Sequence, residues 1–214
     1  MRPVVCMITD RRRFGRHGED VLIHRAALAA RAGVHLIQIR EHDVADGALL
    51  TLVARAVDAV RGTRTRIVVN DRLDVAVAAG AHGVHLRGDS APGRRVRSSA
   101  PPGFLIGRSV HSPDEIARVS DEDGLDYLLF GTVFPTASKP GRPAAGIAGL
   151  TEAVDAAGRL PVLAIGGITL DTAGQLAGSG CAGFAAIGQF ADVPDEQLAA
   201  TVAAALGAWE NPVT

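Results

Sequence analysis

Short apolar runs alternate with longer Ala-rich runs along this chain, and the pair occurs eight times. The apolar runs are β-branched and nearly continuous, which is typical of strands covered on both faces. The predicted strands are Val4–Thr9, Val34–Arg40, Arg66–Asn70, Gly83–Leu86, Phe104–Gly107, Asp126–Gly131, Val162–Ile165 and Gly183–Ile187. The predicted helices are Asp20–Arg31, Ala45–Val60, Leu73–Ala79, Ala91–Ser99, Pro113–Asp121, Gly149–Ala157, Leu170–Ser179 and Asp195–Trp209.

This repeat predicts an α/β protein with the architecture of a single (β/α)8 TIM barrel. Eight units in 214 residues leave about 27 residues for each, the lower end for that fold. The rival is a doubly wound open sheet, but no Gly-rich dinucleotide motif follows the first strand. No linker interrupts the alternation, so residues 1–214 are predicted to form one TIM-barrel domain.

Composition narrows the class of protein. The 22 Lys and Arg residues nearly balance the 23 Asp and Glu residues, and 47% of the chain is hydrophobic. These values exclude a disordered chain and argue against sequence-independent binding of nucleic acid. No apolar run approaches the ~20 residues that span a bilayer. With only two cysteines and no secretory signal, the chain is predicted to be a cytoplasmic protein without membrane or nucleic-acid partners.

In this fold, function resides at the carboxyl ends of the strands and in the loops that follow. The second predicted strand ends in a run whose alternation sends Gln38, Arg40 and His42 to one side. Amide and guanidinium groups suit the binding of phosphate. The alternative is an ion pair between Arg40 and Glu41.

Carboxylates follow the third and fourth predicted strands. Asn70 and Asp71 end the third, and Asp89 comes after the fourth. Carboxylates beside phosphate donors suggest Mg²⁺, which one or two carboxylates and substrate phosphate oxygens typically bind. The alternative for Asp71 is the N-cap of the next helix. His85, in mid-strand among apolar residues, is interpreted as a buried interior histidine.

Hydroxyl groups, a lysine and glycines follow the later strands. Ser109 and His111 alternate onto one face after the fifth, where a Ser–His pair is conceivable. The long loop after the sixth supplies hydroxyl groups and one cation for phosphate, and glycines end the seventh and eighth strands, where bare backbone N–H groups can approach an anion. These residues are Thr136, Ser138, Lys139, Gly166, Gly167, Ile187 and Gly188. The basic first loop, Arg11–His17, is interpreted as a solvated loop, with steering of anions as the alternative.

Six motifs occur in order along the chain. They are Gln-x-Arg, Val-Asn-Asp-Arg-x-Asp-x-Ala, Gly-Val-His-Leu, Gly-x-Ser-x-His, Asp-Tyr-x-x-x-Gly-x-Val-Phe-Pro-Thr-x-x-Lys and Ala-Ile-Gly-Gly-Ile. In this order and spacing they resemble the thiamine phosphate synthase and TenI family over nearly the whole chain. The resemblance implies a (β/α)8 barrel. It also implies a transferase of thiamine biosynthesis that joins an aminopyrimidine-methyl pyrophosphate to a thiazole phosphate, with Mg²⁺ and release of pyrophosphate.

The same resemblance implies roles for individual residues. The residues implied to contact the pyrimidine pyrophosphate are Gln38, Arg40, Asn70, Ser109 and Lys139. Those implied to bind substrate elsewhere in the site, chiefly the thiazole phosphate, are His42, His111, Thr136, Ser138, Gly167, Ile187 and Gly188. Asp71 and Asp89 are the candidate Mg²⁺ ligands, and a homodimer is expected from the family.

Three departures from the family pattern keep other activities open. His42 replaces a lysine, and Asp89 lies one position early so that Ser90 takes the ligand register. Third, Gly-Arg-Ser-Val-His-Ser and Tyr-Leu-Leu-Phe-Gly resemble the TenI branch, although Thr132 replaces the catalytic histidine of that branch. A TenI-like thiazole tautomerase and a non-catalytic protein that binds thiazole phosphate are therefore the alternatives to the synthase.

Overall fold

Eight parallel strands close into a barrel in chain order within the residues that the structure, a computed structural model, describes, namely 3–120, 124–136, 141 and 143–210. The strands are β1 (Val4–Ile8), β2 (Leu36–Ile39), β3 (Arg66–Asn70), β4 (Gly83–Leu86), β5 (Leu105–Val110), β6 (Tyr127–Phe130), β7 (Val162–Ile165) and β8 (Gly183–Ala186). The first strand pairs with both the second and the last. The predicted (β/α)8 barrel is confirmed, and the open sheet is excluded.

The helices follow the strands as the alternation predicts. They are α1 (Gly18–Arg31), α2 (Asp46–Ala59), α3 (Leu73–Ala78), α4 (Gly93–Ser99), α5 (Pro113–Ser120), α6 (Gly146–Ala157), α7 (Leu170–Leu176), α8 (Gly188–Ala191) and α9 (Asp195–Glu210). The short α8 was not predicted. The basic segment Arg11–His17 forms two short 3-10 turns that meet at a kink at Gly15.

Alternate residues of several strands enter two different cores. Val5 and Met7 pack in a large cluster that also holds helix residues such as Leu22, so this cluster fills the layer between barrel and helices. Cys6 and Ile8 belong to a smaller cluster of strand residues and their immediate neighbours, which fills the barrel interior. The period of two along a strand explains the division.

A buried arginine of α1 connects the two ends of the chain. Arg25 is 4% exposed. Its guanidinium donates to the carbonyl oxygens of Phe190 and Val193, and to Asp195 Oδ1 at 2.7 Å. It also lies over the ring of Phe14. These bonds fix α8 and the start of α9 against α1, where the barrel closes.

No helix among the described residues is both long and apolar enough to cross a membrane. This finding agrees with the absence of a long apolar run in the sequence.

Candidate active site

The carboxyl ends of the parallel strands meet at one rim of the barrel, and most of the predicted site residues lie there. A cleft of about 190 Å³ opens beside the ends of β2 and β3. His42, Asn70, Asp71 and Arg87 contribute to its lining. Polar side chains of β2, β3 and the segment after β4 are therefore brought together, as the alternation predicted.

A buried amide pair lies at the floor of this region. Gln38 is 2% exposed, and its Nε2 donates to Asn70 Oδ1 at 2.9 Å. This bond fixes the orientation of the Asn70 amide. Asn70 Nδ2 is buried and has no hydrogen-bond partner among the described residues. An unpaired buried donor costs free energy, so Asn70 presents a donor suited to a ligand oxygen.

Asp71 is held between a hydroxyl and a guanidinium. Ser90 Oγ donates a short hydrogen bond to Asp71 Oδ1, and Arg87 Nε lies 3.0 Å from Asp71 Oδ2. The N-cap of α3 is Arg72, so the capping alternative for Asp71 is wrong. Asp71 has φ of 57°, a left-handed conformation that Asp and Asn tolerate better than most residues.

Both predicted metal carboxylates converge on one cationic nitrogen. Arg87 Nε also lies 3.3 Å from Asp89 Oδ1. Ser90, which takes the ligand register of the family pattern, is the hydroxyl that binds Asp71. Within the described chain, no group of three or more His, Cys, Asp and Glu side chains is assembled that could hold a metal ion alone. A metal here would therefore need further ligands.

Charges of both signs line the cleft, where Arg72 and Arg87 stand beside Glu41, Asp46 and Asp71. His42 is exposed at its edge, and the pKa of its imidazole is lowered, first by partial burial and then by the charges of Arg40, Arg87 and Arg12. Protonation of His42 is therefore less favourable than that of an ordinary histidine. Because Arg87 is already paired with Asp71 and Asp89, the charges of the cleft suit a polyanion that arrives with its own cation.

Glu41 does not form the ion pair with Arg40 that was the alternative for the second strand. It accepts hydrogen bonds from Thr9 Oγ1 at 2.6 Å and from the backbone N–H of Arg11 at 3.1 Å. Burial raises the pKa of its carboxyl group. Glu41 thus anchors the segment after β1 to β2, which leaves Arg40 available to the mouth.

A second buried polar group lies inside the barrel at β4, β5 and β6. His85 is 1% exposed, and its Nε2 lies 2.9 Å from Ser109 Oγ, while its Nδ1 lies 3.0 Å from Tyr127 Oη. Burial, followed by the charges of Arg108 and Arg40, lowers the pKa of His85 to about 3. The interpretation of His85 as a buried interior histidine is confirmed.

His111 is not the partner of Ser109. Its Nδ1 lies 2.6 Å from the carbonyl oxygen of Gly131, and its backbone N–H donates to Glu115 Oε2. His111 is exposed and joins the ends of β5 and β6. The Ser–His pair that was conceivable from the sequence is therefore replaced by Ser109 and His85.

The loop after β6 rests on the two glycines that follow β7. A Cβ atom added to Gly167 would lie 2.4 Å from the carbonyl oxygen of Pro135, and one added to Gly166 would lie 2.6 Å from Thr132 Cγ2. Both glycines have positive φ. They therefore permit this loop to approach closely. Thr136, half-buried, ends the described part of the loop, and Ser138 and Lys139 lie outside the described residues.

At the end of β8, a charged pair adjoins Gly188. Arg13 Nη1 lies 2.6 Å from Asp192 Oδ1. A Cβ atom added to Gly188 would be 2.7 Å from Asp192 Oδ2 and 3.9 Å from Arg13 Nη1. Ile187 and Gly188 are half-buried at the same rim. The first basic segment therefore reaches the expected phosphate end of the site.

Sequence reasoning missed two residues of this region. Arg87 directly follows the fourth predicted strand, so its place at the rim was available from the strand boundaries. Tyr127 alternates into the barrel, but its bond to His85 depends on the register of β4, β5 and β6. That register aligns His85 with Gly107 and Gly107 with Tyr127.

Known proteins similar to this chain were found by sequence and by structure. The family model described as "Thiamine monophosphate synthase" matches residues 5–190. A thiamine-phosphate synthase of Roseiflexus castenholzii is 37% identical over 92% of this chain and 85% of its own length. The enzyme of that name from Methanoculleus marisnigri is 40% identical over 76% of each chain.

Solved structures agree with the sequence relatives. A thiamine phosphate pyrophosphorylase from Pyrococcus furiosus superposes with a TM-score of 0.82 at 28% identity, over 98% of this chain and 96% of its own. A 3-hexulose-6-phosphate synthase with 16% identity and a TM-score of 0.70 shares the fold. The extent of the family match and the identity to these relatives show that the chain belongs to the thiamine monophosphate synthase family.

Proposed function

We propose that this chain is a thiamine-phosphate synthase, a transferase of thiamine biosynthesis. It joins an aminopyrimidine-methyl pyrophosphate to a thiazole phosphate and releases pyrophosphate. The observation that carries the proposal is the buried donor Asn70 Nδ2, which lacks a partner among the described residues and borders a cleft lined by Asp71 and Arg87. An oriented donor beside carboxylates and guanidinium groups suits a pyrophosphate and its cation.

The donor set fits Mg²⁺ bound jointly by protein and substrate. Asp71 and Asp89 place one oxygen each against the same cationic nitrogen of Arg87, so both carboxylates face a point where positive charge is stabilised. Two carboxylates and pyrophosphate oxygens would complete the preferred oxygen ligands of Mg²⁺. When bound, Mg²⁺ would neutralise the charge that develops on the leaving pyrophosphate.

The residues of the cleft then orient the leaving group. Gln38 holds the Asn70 amide so that its N–H donates to a pyrophosphate oxygen, and Arg40 adds positive charge at the same rim. Lys139, expected to act there too, lies outside the described residues. As the pyrophosphate departs, the ring nitrogen of the thiazole attacks the pyrimidine methylene carbon. The protein mainly positions both substrates and stabilises charge.

The thiazole phosphate is proposed to lie at the ends of β6, β7 and β8. Gly167 allows Phe134 and Pro135, which precede Thr136, to lie close to the end of β7. Ser138, expected to act with Thr136, lies outside the described residues. Gly188 borders Arg13, whose guanidinium is paired with Asp192 at this end. Backbone N–H groups and a planar guanidinium are suited to a terminal phosphate. His42 and His111 flank the site at its edge.

We also propose the cellular compartment and the partners of the enzyme. The two cysteines are free and buried, which suits a reducing compartment, and we infer a cytoplasmic location. The net charge of −1 gives no support for nucleic-acid binding, and the substrates are small phosphorylated molecules. A homodimer is the expectation from the family.

The first experiment is an assay with both substrates and Mg²⁺, with and without a chelator, that measures thiamine phosphate. Product that disappears with chelator and returns with added Mg²⁺ is expected. Absence of product while the thiazole phosphate binds would contradict the synthase. In that case, turnover of the thiazole tautomer without metal would indicate the tautomerase, and binding without turnover would indicate the non-catalytic protein.

A further inference from the structure

Tyr127, His85 and Ser109 form a linear chain of side chains that leads from the barrel interior to its mouth. The phenol of Tyr127 contacts His85 Nδ1 at 3.0 Å, and His85 Nε2 contacts Ser109 Oγ at 2.9 Å. Tyr127 and His85 are 7% and 1% exposed, whereas Ser109 is half-buried. Only the last member can therefore reach a bound substrate.

Gly107 makes this chain possible. It lies between His85 and Tyr127 in the register of the sheet. A Cβ atom added at Gly107 would come within 2.1 Å of the Tyr127 ring. The missing side chain thus leaves the space through which the phenol reaches the imidazole.

Burial of the Tyr127 phenol determines which group donates in each of the two hydrogen bonds. His85 Nδ1 is the hydrogen-bond partner that the described structure gives to Tyr127 Oη. A buried O–H without an acceptor is unfavourable, so the phenol donates to Nδ1. The second ring nitrogen, Nε2, must then carry the proton of the neutral imidazole and donate to Ser109 Oγ. The hydroxyl proton of Ser109 is left pointing to the mouth.

We propose that Tyr127 and His85 are positioning residues that make Ser109 a hydrogen-bond donor to the pyrimidine pyrophosphate. The opposite tautomer would take the Ser109 proton into the barrel and would present only lone pairs to an anionic substrate, which is unfavourable. The identity of the substrate rests on the proposed function. The direction of the protons rests on the contacts of these three residues alone.

The tautomer is measured directly by ¹⁵N NMR of the imidazole in the whole protein without ligand. Comparison with the His85→Gln variant assigns the signal. A neutral ring protonated at Nε2 is expected for the wild type. A smaller preference for this form is expected in Tyr127→Phe, because the donor to Nδ1 is lost. A wild-type ring protonated at Nδ1 would overturn the proposal, whether or not the protein makes thiamine phosphate.

Binding of inorganic pyrophosphate with Mg²⁺ then tests the role of the proton. Tyr127→Phe is expected to weaken binding roughly three- to tenfold, the worth of one redirected hydrogen bond. The same change in a Ser109→Ala background is expected to have no further effect. An equal loss in both backgrounds would show a merely structural role and would overturn the proposal.

Thr65→Val is the matched control for loss of a buried hydroxyl. Thr65 Oγ1 donates to the carbonyl oxygen of Val34 at 2.6 Å, and Thr65 lies before β3 at the opposite end of the barrel. This variant is expected to lose stability but to keep the wild-type tautomer of His85 and the wild-type affinity for pyrophosphate. If His85 has the expected tautomer but thiamine phosphate is never formed, the proposed function is wrong. The proposal that Tyr127 and His85 position Ser109 would still hold.

Discussion

Asp71 combines an unusual backbone conformation with two polar contacts. Its φ of 57° favours Asp, Asn or Gly, and its carboxylate meets Ser90 and Arg87. Such a residue is a poor choice for simple packing, because its conformation costs free energy that only the surrounding structure or function offsets. Asn is the substitution that keeps the conformation and removes the charge.

Asp71→Asn is therefore expected to lower kcat/KM for the pyrimidine substrate by about 100-fold, because a proposed metal carboxylate is lost. The midpoint of thermal unfolding should stay near that of the wild type. Asp74→Asn is the control, since Asp74 is an exposed acid of the first turn of α3 that pairs with Arg72. Wild-type turnover in Asp71→Asn would contradict the metal role.

Arg87 has a different effect, because it occupies the point where a cation would lie. Its Nε contacts both Asp71 and Asp89, so it competes with a metal in the free protein. Arg87→Gln is expected to bind Mn²⁺ a few-fold more tightly, by about the modest worth of exposed ion pairs. Electron paramagnetic resonance of free Mn²⁺, titrated with protein alone, measures this affinity.

The control for Arg87→Gln is Arg94→Gln, which removes the same charge from an exposed position on α4. It should leave Mn²⁺ affinity unchanged. Equal affinity of Arg87→Gln and wild type would show that the guanidinium does not compete with the metal.

Among the helices, the side chain of Arg25 stabilises the region where the last helices of the barrel pack against the first. Arg25 of α1 satisfies the carbonyl oxygens of Phe190 and Val193, which flank the end of α8. Without the Arg25 side chain, the buried carbonyl oxygen of Phe190 and the partly buried one of Val193 would lose this donor. Burial of unpaired acceptors is a major cause of large losses of stability.

Arg25→Met keeps the length of the side chain and removes the donors. It is expected to lower the free energy of unfolding by about 2 to 4 kcal/mol, as measured by urea denaturation. Arg55→Met, which breaks an exposed ion pair with Asp20 on the outer surface, should cost about 0.5 kcal/mol or less. Similar losses in both variants would contradict the role given to burial.

For the whole molecule, His85 links stability to pH. Its folded pKa of about 3 lies below the ordinary value of 6.5. The unfolded chain therefore binds a proton that the folded chain excludes between these pH values. The contribution of this group to stability is present in full well above pH 6.5 and is lost as the pH falls toward 3, by about 5 kcal/mol.

His85→Gln is expected to flatten this dependence. Its urea midpoint should fall less steeply than that of the wild type between pH 6.5 and pH 4. His17→Gln, at an exposed position, should follow the wild-type curve. Parallel curves for His85→Gln and wild type would mean that the histidine is protonated without cost in the folded state.

The local sequence pattern was sufficient to predict the repeat of strand and helix. It was also sufficient to predict the end of the barrel at which polar groups gather. Gln38 and Asn70 were predicted to lie together, and they share a hydrogen bond. The strand boundaries carried this information because side chains alternate along a strand and parallel strands end at one rim. The partner of Ser109 was not predictable in this way. Alternation placed His111 on the face of Ser109, whereas the contact with His85 depends on the register of β4 and β5.

The pattern of residues along the chain was enough to predict the alternation of strands and helices, the barrel, and the residue types that gather at its mouth. Which side chains meet became known from the packing of the folded chain. It replaced His111 by His85 beside Ser109, placed Arg87 between Asp71 and Asp89, and brought Arg25 to the end of α8. Periodicity is a property of neighbouring residues, whereas these contacts depend on strand register and on the packing of segments up to 170 residues apart.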